Sequence, residues 1–159
     1  MTPEQLFVGT ALNSWKQVIG RLNQAIASWS DEDLQRQVAA GKNRVFYLVG
    51  HLTATHDRLF PLLSLGQRIH PEFVEAFLTN PDRTSPDQIS ASALREAWSN
   101  VNTKLTAAFE ALTPEEWLHK HSAVSEEDFA KDPLRNRLAV LISRTNHASF
   151  HTGQAILAK

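Results

Sequence analysis

The sequence of 159 residues contains no cysteine. This absence excludes disulfide bonds, thiolate metal sites, iron–sulfur clusters and cysteine nucleophiles, so any metal ion must bind nitrogen or oxygen ligands. Only six glycines occur, and no glycine-rich loop precedes a predicted helix. The sequence therefore offers no phosphate-binding loop of the P-loop or dinucleotide-binding kind.

Long apolar runs and a strong net charge are also absent. No run approaches the roughly 18 residues of a membrane span, and the first residues, MTPEQLFVG, lack the basic and apolar regions of a signal peptide. The 16 Lys and Arg nearly balance the 17 Asp and Glu, which argues against nucleic-acid and anionic-membrane partners. With 42% hydrophobic residues, we expect a cytoplasmic protein with one domain over residues 1–159.

Apolar residues recur three and four positions apart in four long stretches, which predicts helices over about residues 3–30, 43–65, 90–112 and 132–158. Thr2, Pro3 and Gln5 form an N-capping pattern before the first helix. Pro61 predicts a kink or an early end in the second. Shorter helical segments are predicted near residues 30–34, 71–78 and 113–118. Because no β-hairpin pattern occurs, the predicted fold is an all-α four-helix bundle with long connections.

Seven histidines are the leading indication of chemistry. His147 and His151 are four residues apart in the last predicted helix, so their rings lie side by side and could hold one metal ion. Such a pair also occurs by chance in surface helices, and a third ligand is needed. His51, in an apolar stretch of the second helix, is the best candidate, although a lone histidine there is more often a core residue.

Small residues near these histidines favour the metal-site interpretation. The apolar stripe of the last helix changes from bulky to small or polar residues at the level of the pair, and the second helix has small residues around His51. The bulky set is Leu134, Leu138, Leu141 and Ile142, and the small sets are Thr145, Ala148, Ser149 and Thr152, and Gly50, Thr53, Ala54 and Thr55. Small side chains leave room for an open coordination position. His51 meets the pair only if the two helices are antiparallel, as we expect, or displaced by about 10 Å.

The remaining candidates have structural and functional interpretations. His56 lies about 140° from His51 around the helix, which favours a structural or pocket-rim position. Asp57 could accept a hydrogen bond from a metal-binding histidine or act as a general base. The structural interpretation is an exposed residue in an ion pair. His119 and His121 lie in a polar connection and are expected to be solvated unless that loop folds over the pocket. His70 lies in another connection and is likewise expected to be solvated. The four tryptophans are predicted to pack in the core.

The capped first helix, the stretch FYLVGHLTATHDRL around His51, and the final motif of His147, His151, Gly153 and Gln154 resemble the DinB/YfiT-like family of metalloenzymes. The resemblance implies a divalent metal ion bound by His51, His147 and His151, with water completing the shell. Nickel or zinc is the expected ion, and iron or manganese the alternative. Thr55 and Gln154 are expected to line the pocket. Many relatives have tyrosine where this chain has Phe150, so this protein lacks that hydroxyl.

The family includes thiol-dependent transferases and isomerases, which implies metal-assisted thiol transfer to a small molecule ahead of isomerisation or hydrolysis. Any thiol would have to arrive as a substrate, because the chain has no cysteine. One alternative is a non-catalytic metal-binding or stress-response bundle. Another is a helical interaction protein whose histidines are incidental. The apolar helix faces would also permit a homodimer.

Overall fold

The structure is a computed structural model that describes residues 1–158. Within that range it contains helices and no β-strand, which confirms the all-α class. The α-helices are α1 Pro3–Ser28, α2 Asp31–Leu34, α3 Val45–Asp57, α4 Leu59–Leu62, α5 Ala91–Ala111, α6 Pro114–Leu118, α7 Glu126–Lys131 and α8 Arg137–Ile156, with a π-helical turn at Glu75–Thr79. The helices outnumber the four predicted because short helical segments form within the connections.

Side-chain caps set the helix starts. As predicted, the Thr2 hydroxyl accepts the Gln5 backbone N–H at 3.2 Å, and the Gln5 side chain accepts the Thr2 N–H at 2.8 Å. The predicted start of the last helix near residue 132 is wrong. Helix α8 begins at Arg137, because Asn136 accepts the Ala139 N–H at 2.9 Å and so caps the helix there. Such a cap typically contributes about 1 kcal/mol.

The second predicted helix is interrupted before residue 65. Helix α3 ends at Asp57, and α4 follows after Arg58. Pro61 lies within α4, where its missing N–H leaves the carbonyl four residues earlier without a helical partner. Ser64 then adopts φ 57° and Gly66 φ 137°, which turns the chain out of the helix. The predicted effect of Pro61 is thus confirmed.

The four longest helices contact one another in a ring: α1 packs on α5 and α8, and α3 packs on the same two helices. Trp15, Trp98 and Trp117 are fully enclosed in the core, and Trp29 is 5% exposed, which confirms their packing role. Two core predictions for the last helix are wrong. Leu134 is exposed because it precedes α8, and Ile142 is exposed because the neighbouring Leu141 occupies the buried face.

Helices α3 and α8 run antiparallel, as predicted. Leu48, early in α3, lines the same cleft as Gln154, late in α8. His51 meets His147 near the middle of α8, and Arg58, just beyond α3, lies near enough to Arg144 to affect its pKa. Residue numbers thus rise along α3 as they fall along α8. Among the helices of residues 1–158, none is long and apolar enough to cross a membrane.

Candidate metal centre

Three imidazole rings meet in the groove between α3 and α8. His51 comes from α3, and His147 and His151 come from successive turns of α8. The Nε2 atom of His147 lies 3.3 Å from Nε2 of His51 and 3.1 Å from Nε2 of His151. One ring nitrogen from each histidine lies within 4.8 Å of the other two. The structure therefore brings together the three residues that the sequence singles out, and we call them the His triad.

The other ring nitrogens fix the tautomers of two of these rings. Nδ1 of His51 lies 3.0 Å from the backbone carbonyl oxygen of Phe77, and Nδ1 of His151 lies 2.7 Å from Oε1 of Gln154. Both oxygens can only accept, so each Nδ1 carries the hydrogen and donates it. The Nε2 atoms of both rings are left with lone pairs directed into the triad. Histidines that bind metals are held by this kind of outer hydrogen bond.

The nitrogen spacing fits a metal ion. Zinc binds imidazole nitrogen at about 2.0–2.1 Å, so nitrogens at two corners of a tetrahedron lie about 3.3 Å apart. The separations of 3.1 and 3.3 Å match that spacing. Nδ1 of His147 is buried and has no hydrogen-bond partner among residues 1–158. Its ring thus meets polar partners only at Nε2, inside the triad, and imidazole ligands suit zinc, nickel and iron alike.

Burial keeps His147 and His151 in the form that binds metals. Removal from water, together with the charges of His151, His51 and Arg144, lowers the pKa of His147 to about 4. Burial is also the main cause that lowers the pKa of His151. Both rings are therefore neutral near pH 7, with a lone pair for an ion, and binding need not displace a proton from either one.

Phe77, which sequence reasoning missed, places His51 through its carbonyl. Its ring is buried and packs 5.2 Å from the Phe73 ring and 5.8 Å from the Tyr47 ring. Tyr47 stacks on His51 with the ring planes 14° apart, and its hydroxyl donates to the Asn80 carbonyl at 2.8 Å. The available signal was the spacing of Phe73 and Phe77, four residues apart in a segment predicted to be helical.

The prediction that small residues leave an open pocket is wrong at several positions. At Gly50 the ring of Phe77 fills the space, and a Cβ atom there would overlap three ring carbons, the farthest at 2.6 Å. Thr53, Ala54 and Ala148 are fully buried. These small side chains let neighbouring elements approach closely, so they serve packing and not a cavity.

Open space lies instead at one end of the triad. A cleft of about 420 Å³ opens beside His151, a size within the usual range for small-molecule sites. Its lining combines a loop before α3 with the two helices: Val38, Ala39, Lys42, Asn43, Leu48, His151, Gln154 and Leu157. Gln154, which was predicted to line a pocket, lies in the lining of this cleft. Thr55 is half-buried one turn after His51, and its hydroxyl donates to the Leu52 carbonyl at 3.0 Å.

His56 and Asp57 have structural positions. His56 is fully buried, hydrogen-bonded to Asn102 at 2.7 Å, with its ring 4.9 Å from the Trp15 ring. The structural prediction for His56 is therefore confirmed. The exposed ion-pair interpretation of Asp57 is wrong, because its buried carboxylate accepts the backbone N–H groups of Ile69 and His70 at 2.7 and 3.1 Å. These are the hydrogen bonds of its side chain within residues 1–158, and neither goes to the His triad.

The last three histidines lie outside the triad. His119 is exposed and His121 half-buried in a shallow pocket that shares no lining residue with the cleft. His70 pairs with Glu72 at 2.8 Å. Phe150 is 63% exposed, and its ring lies 5.2 Å from that of His151, where it offers an apolar surface and no hydroxyl.

Comparison with known proteins agrees with the resemblance seen in the sequence. No curated protein matches the chain. The family model described as the DinB superfamily matches residues 14–155, which include the whole His triad and every lining residue of the cleft except Leu157. The chain belongs to the DinB superfamily.

Proposed function

We propose that the protein is a divalent-metal-dependent enzyme that transfers a thiol to a small electrophilic molecule. His51, His147 and His151 are its metal ligands, with nickel or zinc as the ion and iron or manganese as the alternative. The observation that carries the proposal is the convergence of three Nε2 atoms from two helices beside an open cleft. Nitrogen donors in this number typify catalytic sites that keep a position open.

The chemistry follows from the charge of the site. A divalent ion held by three neutral imidazoles would keep its positive charge and would lower the pKa of a thiol or water molecule beside it. The chain itself has no cysteine, so the thiol comes from solution. It reaches the site through the cleft beside His151, where Leu48 and Leu157 offer apolar contact and Asn43 offers a polar group.

Residues around the triad hold the rings in place during this reaction. The carbonyl of Phe77 and the amide oxygen of Gln154 accept hydrogen from Nδ1 of His51 and His151, so neither ring can rotate without losing a hydrogen bond. Phe150 has no hydroxyl, so it cannot donate a proton to substrate. A leaving group must take its proton from the thiol or from water.

The proposal is tested by thiol binding and thiol transfer. The full chain is loaded with one equivalent of Ni²⁺ or Zn²⁺ and mixed with small thiols and an activated electrophile. We expect turnover that His147→Ala abolishes and that His119→Ala, the matched control outside the triad, retains. If the loaded protein binds metal yet neither binds nor activates any common cellular thiol, the thiol-transfer proposal fails.

A second candidate is a non-catalytic metal module, favoured by the fact that the ligands come from two helices. An ion there would join α3 to α8. A ligand at 100 times its dissociation constant stabilises a fold by about 2.7 kcal/mol. A structural site predicts that chelator or His51→Ala sharply lowers the melting temperature, whereas a catalytic site predicts lost activity with modest unfolding.

A further inference from the structure

Arg144 occupies the same half-buried face of α8 as the metal ligands. It lies three residues before His147, which places it one helical turn away along the groove between α3 and α8. The half-buried face continues through Val140, Arg144, His147, His151 and Gln154. Its charge is close enough to the triad to contribute to the lowered pKa of His147.

The guanidinium of Arg144 has no partner in the described part of the chain. It forms no ion pair and donates no hydrogen bond there. Burial lowers its pKa, and the charge of Arg58, just past the end of α3, lowers it further. None of the Arg144 nitrogens is among the buried polar atoms that lack a hydrogen-bond partner in the described part of the chain, so its N–H groups stay accessible to water and to a ligand. Arg58 is exposed, so this end of the groove presents two cations with accessible N–H groups and no carboxylate bonded to either within residues 1–158.

Free carboxylates are missing from α3, from α8 and from the lining of the cleft. Helix α8 contains no Asp or Glu between Arg137 and Ile156, and the single acid of α3, Asp57, is buried with both oxygens occupied. The cleft beside His151 has Lys42 as its one charged lining residue. A divalent ion in the triad would add to this positive charge, and no carboxylate of α8 or the cleft lining, and none of α3 except the buried Asp57, would balance it.

We propose that Arg144, assisted by Arg58, binds an oxyanion of the small-molecule substrate beside the His triad. Carboxylate and phosphate both match the guanidinium fork, which donates two parallel hydrogen bonds. This inference rests on the proposed function, because it names the substrate class of the same site. Under this proposal the substrate, or the thiol that is transferred to it, is an anion. Its negative charge balances the positive charge of Arg144 and Arg58.

The test compares thiols that differ in charge. The full chain is loaded with Ni²⁺ and titrated with 3-mercaptopropionate, 2-mercaptoethanol and cysteamine, followed by the thiolate-to-nickel absorption band. We expect 3-mercaptopropionate to bind more tightly than the neutral 2-mercaptoethanol, and the cationic cysteamine to bind most weakly. Loss of one charge-assisted hydrogen-bonded contact in Arg144→Gln is expected to weaken 3-mercaptopropionate by roughly 10- to 100-fold. Binding of 2-mercaptoethanol is expected to stay within twofold.

Two controls and one further titration separate this inference from the proposed function. Arg21→Gln removes the same charge from an exposed position on α1 and is expected to leave all three affinities unchanged. Isothermal titration with Ni²⁺ checks that Arg144→Gln keeps its metal site. Propionate and inorganic phosphate, which lack a thiol, are titrated into the loaded protein with the Nε–H nuclear magnetic resonance signal of Arg144 as the readout.

The outcomes are distinct. If no thiol alters the nickel spectrum while propionate or phosphate shifts the Arg144 signal, thiol transfer fails and the oxyanion subsite stands, with the tighter anion naming its chemistry. If thiols bind but Arg144→Gln weakens 3-mercaptopropionate and 2-mercaptoethanol equally, the subsite is overturned and thiol transfer survives. If neither propionate nor phosphate at 50 mM shifts the Arg144 signal and the charge of the thiol makes no difference, the subsite is likewise overturned.

Discussion

Gly50→Ala is the substitution that most directly tests how the fold positions His51. The added methyl group would overlap three ring carbons of Phe77, and that ring is enclosed by Phe46, Tyr47 and Phe73 at centroid distances of 6.1, 5.8 and 5.2 Å. The ring cannot withdraw without moving the π-helical turn that carries it. The same turn carries the carbonyl oxygen that accepts hydrogen from His51 at 3.0 Å.

The magnitudes come from two opposing effects on stability and one effect on the metal site. Replacing a helical glycine by alanine gains about 1 kcal/mol, whereas overpacking a buried site costs about 1–3 kcal/mol. We therefore expect the free energy of unfolding to be unchanged or to fall by up to about 2 kcal/mol. Loss of a hydrogen bond behind a metal ligand typically reduces metal affinity by about 10- to 100-fold, and that loss is the diagnostic result.

The assay is isothermal titration of the full chain with Zn²⁺, beside urea unfolding of the metal-free protein. Gly9→Ala is the matched control, because a Cβ atom at Gly9 meets nothing within 4 Å. It is expected to raise stability by up to about 1 kcal/mol and to leave metal affinity unchanged. If Gly50→Ala binds Zn²⁺ within twofold of the unchanged chain, the claim that Phe77 holds His51 for metal binding is refuted.

Three further substitutions test separate contacts. Burial lowers the pKa of His56 to about 3 against 6.5 in the unfolded chain. Below pH 6.5 His56 is therefore protonated in the unfolded state but stays neutral in the folded state. The free energy of unfolding then falls by about 1.4 kcal/mol for each unit by which the pH is lowered. Urea unfolding from pH 7 to 5 should show a loss of about 2 kcal/mol at pH 5 that His56→Gln reduces, and an equal loss in both chains would contradict this. Asp57→Asn should lower the unfolding free energy by about 1–3 kcal/mol without changing metal stoichiometry, and lost stoichiometry would instead mean that Asp57 supports the triad. Gln154→Leu should reduce Zn²⁺ affinity by about 10- to 100-fold, with Gln88→Leu as the exposed control, and unchanged affinity would remove Gln154 from the support of His151.

The parts of the fold that follow local rules could be predicted from the sequence. Helix α1 is set by its apolar spacing and by the capping pair of Thr2 and Gln5. The triad was predictable because the distance between His147 and His151 is fixed by one helical turn. The antiparallel placement of His51 followed from matching levels along two helices. In each case the spacing of residues along a single helix, or the choice between parallel and antiparallel helices, determines the structure.

The parts that depend on long connections could not be predicted in the same way. Phe77 lies 26 residues after His51, and nothing in the local pattern says that its carbonyl accepts hydrogen from that ring. Asp57 is sequestered only because residues 69 and 70 return to α3. The small Gly50 was interpretable as open space until the ring of Phe77 was placed against it. In each case the tertiary path of residues 66–90 decides the outcome.

The central claim is that the three histidines form one metal site. The most direct measurement is the metal content of the full chain by elemental analysis, as purified and after loading with Zn²⁺ or Ni²⁺, beside His147→Ala treated identically. The account predicts one divalent ion per chain and its loss in His147→Ala. Equal metal content in the two chains, or no bound metal in either after loading, would contradict it.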